Sequence, residues 1–418
     1  MNTASSEGKG IGRPSNSVGK LLFLTPVFPL PLYAGQQQRV INLLQCCTRE
    51  FDVTFVAPKP KEAVDETQIR SMCDRVILFD ADAEATNRWA DEFRLRCRFG
   101  FLQSREKLRA LSACAAQLRT IRLEEYALIW LERTLLAPLV RARRSNTVLD
   151  LDDLEHVKYA QEIRTARGGA QALKKLPYLA RYVYREAFMS RQFNTVVVCS
   201  PEDRNYLQRL GVANVRVVPN GTNFISTAKR VQGTERFRLV FVGNMGYEPN
   251  LDAVTFLAES ILPHVRKHIP DVEVDVIGKP PEGGAGLQGH VNFRGFIDDL
   301  SSCLSQYNVF VAPLRIGSGT KLKIVEAMGI GIPIVTTTVG ARGLGLQHRH
   351  SAMIADTASG LAGAILDCYN NSILANEIAS NALVVAKQFR WDSIQRSTAT
   401  WLRQLAEEHE EFKTTYRH

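Results

Sequence analysis

Between Arg315 and Glu326 the chain reads Arg-Ile-Gly-Ser-Gly-Thr-Lys-Leu-Lys-Ile-Val-Glu, which sets cations, glycines and a carboxylate in one short stretch. The apolar run 308–312 before it reads as a buried strand. Lys321 onward reads as a helix with Thr320 as its N-cap, so the unit is strand, loop and helix. Gly317 and Gly319 let the backbone approach a ligand closely. Free N–H groups and the positive end of the helix dipole then face an anion, and Arg315 with Lys321 or Lys323 adds charge-assisted hydrogen bonds of about 1.5–3 kcal/mol each. Glu326, two turns in, repels phosphate but accepts hydrogen bonds from sugar hydroxyls. The combination suits a nucleoside diphosphate. Taken alone, the same residues also describe an ordinary strand-to-helix turn with a solvated basic start.

Other loops add to this. Pro26-Val-Phe-Pro-Leu-Pro-Leu-Tyr-Ala-Gly35 precedes a helical apolar pattern at Val40, Leu43 and Leu44, and Phe241-Val-Gly243-Asn-Met-Gly opens a second such unit. Gly35 and Gly243 thus give one glycine loop in each half of the chain. Gly295-Phe296-Ile297-Asp298-Asp299 follows a short strand and can offer backbone groups to a base. Asp150-Leu-Asp152-Asp153 ends another strand. A carboxylate there can orient or deprotonate an acceptor hydroxyl, or cap a helix. His156, one turn on, reads as structural.

The elements that position these loops alternate along the chain. Apolar β-rich runs at 20–25, 53–57, 75–79, 127–131, 147–151, 195–199 and 215–218 are separated by helical stretches. A polar segment follows, and alternation restarts at 238–242, 272–277, 291–294, 308–312, 333–336 and 352–355. This pattern indicates two parallel α/β sheets. Residues 1–19 read as a disordered leader, 20–218 as a first domain, 219–237 as a linker, 238–380 as a second domain and 381–418 as a helical segment returning toward the first. At 418 residues two domains of ordinary size are expected.

The balance of 52 Lys and Arg against 43 Asp and Glu gives a net charge of +9 and favours an anionic partner. No helix-turn-helix spacing, zinc finger or aromatic-basic strand pattern is present, so nucleic acid is set aside. The basic, apolar segment 164–191 fits either a helix lying on a membrane or an ordinary helix with a solvated face. No apolar run reaches the roughly 18 residues of a membrane span. The eight cysteines lack metal or disulfide spacing, and a cytoplasmic protein is expected.

Over about residues 20–400 the chain resembles the family 4 glycosyltransferases of GT-B fold. The segments that carry the resemblance are Val218-Pro-Asn-Gly-Thr222, Phe241-Val-Gly243 with Pro249-Asn250, and above all Pro313 to Met328 continued by Gly331-Ile-Pro-Ile-Val-Thr336. They are most similar to the subgroup of bacterial surface-polysaccharide clusters. The resemblance implies two Rossmann-like, doubly wound domains facing a central cleft. It also implies retaining transfer of a sugar from a nucleotide-sugar donor to a saccharide or lipid-linked saccharide acceptor, with no metal and no cofactor. By position, Glu326 matches the second Glu of the family's E-x7-E motif and holds the ribose, while Ser318 stands in place of the first. Asn244 stands where many members carry Arg, which leaves Arg315 and Lys321 to supply the catalytic charge. Gly35, Gly243, Gly317, Gly319 and Thr320 complete the diphosphate site, and Phe296 and Ile297 meet the base. Arg39 matches an Arg of the subgroup, and Asp152 is the nearest counterpart of the acceptor-side base. The alternatives are a catalytically silent sugar-nucleotide-binding subunit and a GT-B-fold epimerase.

Overall fold

A computed structural model describes residues 17–32, 35–81, 104–140, 146–166, 168–223, 236–281, 286–287 and 289–415. Most of the leader, most of the linker, Arg167 and Cys97 lie outside the described residues. Strands β1 (Lys20–Leu24), β2 (Asp52–Pro58), β3 (Arg75–Phe79), β4 (Leu128–Glu132), β5 (Thr147–Asp152), β6 (Thr195–Val198) and β7 (Val215–Val217) form one sheet. Their order is 3-2-1-4-5-6-7, and every pairing is parallel. Strands β8 (Arg238–Val242), β9 (Glu273–Ile277), β10 (Asn292–Gly295), β11 (Val309–Ala312), β12 (Ile334–Thr336) and β13 (Met353–Ile354) form the other, in the order 10-9-8-11-12-13.

Parallel strands carry helices on both faces, so their side chains are buried on both sides and the sequence reads as continuous apolar runs. β1, β4, β5, β6 and β11 are such runs, buried along nearly their whole length. In each sheet the strand order reverses once, between β1 and β4 and between β8 and β11. Crevices for ligands open at the carboxyl ends of strands at such points. Gly35 follows β1, Gly243 follows β8 and the loop 313–321 follows β11, so all three open at the switch points.

The helix Leu322–Ile330 stops at Gly331, whose left-handed φ of 75° lets its N–H close on Ala327 and Met328 carbonyls. It begins one residue later than the sequence suggests, and its cap differs. Lys321 holds the cap position without a side-chain bond, while the Thr320 hydroxyl accepts the backbone N–H of Asn220. Tertiary contact has taken the hydroxyl that would otherwise cap the helix.

The helix Trp391–Thr415 crosses back to the first sheet. Trp391, Ile394, Trp401, Leu402 and Leu405 recur at helical spacing and are buried with Leu21, Phe23 and Trp130. Trp401 meets Trp130 edge to face at 6.5 Å. The crossing passes tightly at Gly221, where a Cβ would fall 2.8 Å from the Phe389 carbonyl oxygen.

Candidate functional site

The glycine loop after β11 faces the first half of the chain and bonds to it residue by residue. Gly317 N–H donates to Gln161 Oε1 at 2.7 Å, the Ser318 hydroxyl to the Leu154 carbonyl at 3.2 Å, and Gly319 N–H to Asp203 Oδ2 at 2.9 Å. Asp203 also accepts from Arg342. Gly319 has a φ of 61°, and a Cβ there would lie 2.1 Å from Asp153 Oδ1. Only glycine fits between the two halves.

Asp153 Oδ1 is buried and has no hydrogen-bond partner among the described residues. Burial, and next the charge of Asp152, push its carboxyl up to about 7, against the pull of Lys158 and Lys321. Lys321 is buried too, which lowers its amine to about 8, although Asp153 and Asp203 favour its proton. Its Nζ donates to the Gly319 carbonyl. Asp153 follows Leu151 and precedes Glu155, both of which line a cavity of about 800 Å³ in the first half. Asp153 itself is not among the lining residues, and its Oδ1 is directed at Gly319.

In the first turn of the helix Leu322–Ile330, Lys323 reaches the other glycine loop, and Glu326 follows one turn on. A Cβ on Gly243 would fall 2.7 Å from Lys323 Nζ. That ammonium donates to Asn250 Oδ1 at 2.5 Å and lies 4.3 Å from the Phe241 ring centroid. Glu326 is buried and its carboxylate makes no hydrogen bond among the described residues, so its lone pairs are open to hydroxyl donors. Burial pushes its carboxyl up to about 7 while Lys323 pulls it down. Burial likewise lowers Lys323 to about 7, with Glu326 opposing. On the opposite side a Cβ at Gly35 would touch Leu322 at 3.4 Å, so the first half's loop closes over this helix.

Several sequence-selected residues are engaged elsewhere. Arg315 forms a two-pronged ion pair with Asp252, at 3.0 and 2.5 Å, and lies over Phe256. Asp152, with a φ of 57°, receives Arg133 at 2.7 Å, Asn220 Nδ2 at 3.1 Å and the Cys199 thiol at 2.8 Å. Arg39 and Arg133 hold its carboxyl below the ordinary range despite burial, so it is a committed ion-pair partner. Neither Asp152 nor Asp153 caps a helix, because the first N–H groups of the helix Glu155–Thr165 go to Glu186. His156 packs between Glu186 and Tyr206 as a structural residue.

Arg39 is fully buried, paired with Asp150 at 2.9 and 2.8 Å and bonded to Val218 O and Asn220 Oδ1. Phe296 is 67% exposed at the rim, and Ile297 packs on the second core. Asp152, Asp153 and Cys199 bring three possible ligand atoms together, but Arg39, Arg133, Lys158 and Lys321 already answer the carboxylate charge. Sequence reasoning missed Asp203 and Gln161. Asp203 sits in Ser200-Pro-Glu-Asp203, which reads as a plain capping motif and does cap its helix.

Two facing doubly wound sheets with glycine loops at both switch points define a GT-B architecture. Solved structures share it: a sucrose-phosphate synthase from Thermosynechococcus elongatus (TM-score 0.69, 18% identity, covering 92% of this chain and 99% of that one). Anabaena HepE in complex with UDP and glucose (0.62, 16%, 92% and 100%) and WaaG, a glycosyltransferase involved in lipopolysaccharide biosynthesis (0.60, 13%, 92% and 99%), share it too. The description Glycosyltransferase Family 4 matches residues 33–224, and Glycosyl transferases group 1 matches residues 236–371. The chain belongs to the family 4 glycosyltransferases.

Among curated relatives, a phosphatidyl-myo-inositol mannosyltransferase of Mycolicibacterium smegmatis is 26% identical over 224 residues, half of this chain and 56% of that protein. An uncharacterized 44.6 kDa protein in the cps region of Klebsiella pneumoniae is 27% identical over 155 residues, 34% of this chain and 40% of that protein. The chain spans about half the length of the curated relatives it matches.

Proposed function

We propose that this chain transfers a sugar from a nucleotide-sugar donor to an acceptor hydroxyl, with retention of configuration and without a bound metal. The observation that carries the reading is Glu326, a buried carboxylate with open lone pairs, one turn from Lys323, whose ammonium reaches Gly243. A carboxylate for ribose hydroxyls beside a cation for phosphate is what a nucleoside diphosphate requires. Gly35, Gly243, Gly317, Ser318, Gly319 and Thr320 form the donor crevice, with Phe296 and Ile297 at its base-binding rim. HepE is described in complex with UDP-glucose, which supports the same class of donor here. Thermal-shift titration with UDP, GDP and ADP tests the reading, and saturable stabilisation by one of them is expected. Stabilisation without turnover on any acceptor would leave a silent partner subunit.

Of the two carboxylates after β5, Asp153 takes the part of base at the acceptor hydroxyl, because Asp152 is spent on Arg133, Asn220 and Cys199. A base is most effective with a pKa near the working pH, and contributes about 10²–10⁴-fold. Asp153→Asn is therefore expected to lower kcat at least tenfold with donor KM unchanged. A parallel rise in donor KM would instead mean that Asp153 holds the donor loop.

The acceptor occupies the cavity of about 800 Å³, whose walls mix apolar Phe28, Leu30 and Leu136 with charged Lys107, Arg133 and Arg185. Such walls suit a lipid-linked saccharide, and a role in surface-polysaccharide biosynthesis at the inner face of the cell membrane follows from the same reading. The Klebsiella relative from a cps region supports it. No helix among the described residues is long and apolar enough to cross a membrane. The helix Gly169–Val183 and the turns after it expose Leu173, Tyr184 and Phe188 beside Lys174 and Arg191, a surface fitted for peripheral contact. Sedimentation with vesicles containing an anionic phospholipid is expected at low salt and is expected to weaken at high salt. Equal recovery with neutral vesicles would remove this contact.

A further inference from the structure

The loop after β8 runs from Gly243 to Asn250 without a Lys or Arg. Arg315 is held by Asp252 and Phe256. The diphosphate crevice therefore needs its cation from another element. Lys323 stands in the first turn of the helix Leu322–Ile330, where N–H groups lack intrahelical acceptors. Its ammonium rises to Gly243 so closely that a Cβ there would lie 2.7 Å from Nζ and displace it. Asn250 Oδ1 accepts from it at 2.5 Å, and Asn250 Nδ2 in turn donates to the Asn244 carbonyl, which ties Lys323 to the loop itself.

The remaining neighbours of Lys323 are the ring of Phe241 and the carboxylate of Glu326 one turn on, with no ion pair within 4.0 Å among the described residues. A half-buried ammonium without a directly paired anion is costly until one binds it. A β-phosphate set against Gly243 would meet this ammonium. Burial favours the uncharged amine, and an incoming diphosphate reverses that preference.

We propose that Lys323, and not Arg315, is the cation that binds the diphosphate of the donor, supplied from the helix after β11 to a loop that carries none of its own. This rests on the reading of the chain as a nucleotide-sugar transferase. Phosphate recognition is then built into the same helix face as ribose recognition by Glu326, so one turn of helix reads both parts of the nucleotide.

Isothermal titration of the full chain with UDP, GDP, ADP and the matching nucleosides tests it. Lys323→Met is expected to bind the nucleoside diphosphate at least tenfold more weakly than wild type while nucleoside binding stays within about twofold. Lys323→Arg recovers part of the loss, and Arg315→Ala stays within about twofold of wild type. Unchanged diphosphate binding by Lys323→Met, or a tenfold loss in Arg315→Ala, overturns the assignment. Should Lys323→Met fail to fold by circular dichroism, reductive methylation of wild type followed by mass spectrometry decides the matter. Lys323 is expected to be protected by the diphosphate and not by the nucleoside, and labelling that is equal with and without diphosphate overturns the proposal. Wild type that binds none of the three diphosphates sinks the donor-site reading itself, a result distinct from tight wild-type binding that Lys323→Met preserves.

Discussion

Arg39→Met is expected to lower the stability of the chain by about 3–5 kcal/mol, the cost of leaving a buried partner charge unpaired. Asp150 loses both of its bonds to the guanidinium, and Val218 O and Asn220 Oδ1 each lose a donor. Both ion-pair partners are fully buried, so water cannot take over. The damage extends to the end of β5. Asp150 Oδ1 accepts the N–H of Asp152 at 3.1 Å, which pins the left-handed turn at that residue. Urea unfolding should show an earlier midpoint with an unchanged slope. The double variant Arg39→Met/Asp150→Leu should recover much of the loss, because it removes the stranded carboxylate as well. A single variant within about 1 kcal/mol of wild type would show that Asp150 finds another partner.

The same pair shows where the sequence becomes opaque. Strands β1, β4, β5, β6 and β11 are legible because burial on both faces leaves continuous apolar runs, and the returning helix is legible through Trp391, Ile394 and Trp401. The glycine loop is legible because tight turns and helix starts are local chemistry. Side-chain partners are not local. Arg315 meets Asp252 at a separation of 63 residues, and Gly319 meets Asp203 at 116. Residue type does not separate Asp152 from Asp153, and the resemblance points to Asp152. An irregularity in the pairing of β5 with β6 between Asp150 and Asp152 turns one carboxylate into the arginine network and aims the other at Gly319. Arg39 sits among Val40, Leu43 and Leu44 on a helix that sequence places beside the ligand, yet its guanidinium reaches down to β5. Which residues share a face is readable from period, but which of two adjacent carboxylates meets a cation is decided by the other half of the molecule.

Glu326→Gln is expected to lower kcat/KM for the donor by about tenfold to hundredfold, chiefly through KM. A hydrogen bond to a charged acceptor contributes about 1.5–3 kcal/mol, and about 1.4 kcal/mol is a factor of ten. The amide keeps one acceptor oxygen but loses the charge, so the loss is partial. The pH profile separates this role from simple packing. Burial places both Glu326 and Lys323 at about 7. Ribose binding uses the ionised carboxylate, so donor affinity, read as 1/KM apart from kcat, should fall as pH drops through that value. Phosphate binding uses the protonated amine, so it should fall again as pH rises through it, giving a narrow maximum near neutrality. Glu326→Gln removes the acid limb and leaves the basic one. An acid limb with the same midpoint in the Gln variant would assign that titration to another carboxylate, of which Asp153, also pushed up to about 7, is the first to test. The Asp153→Asn profile then decides between them, since donor binding and acceptor activation separate as KM and kcat.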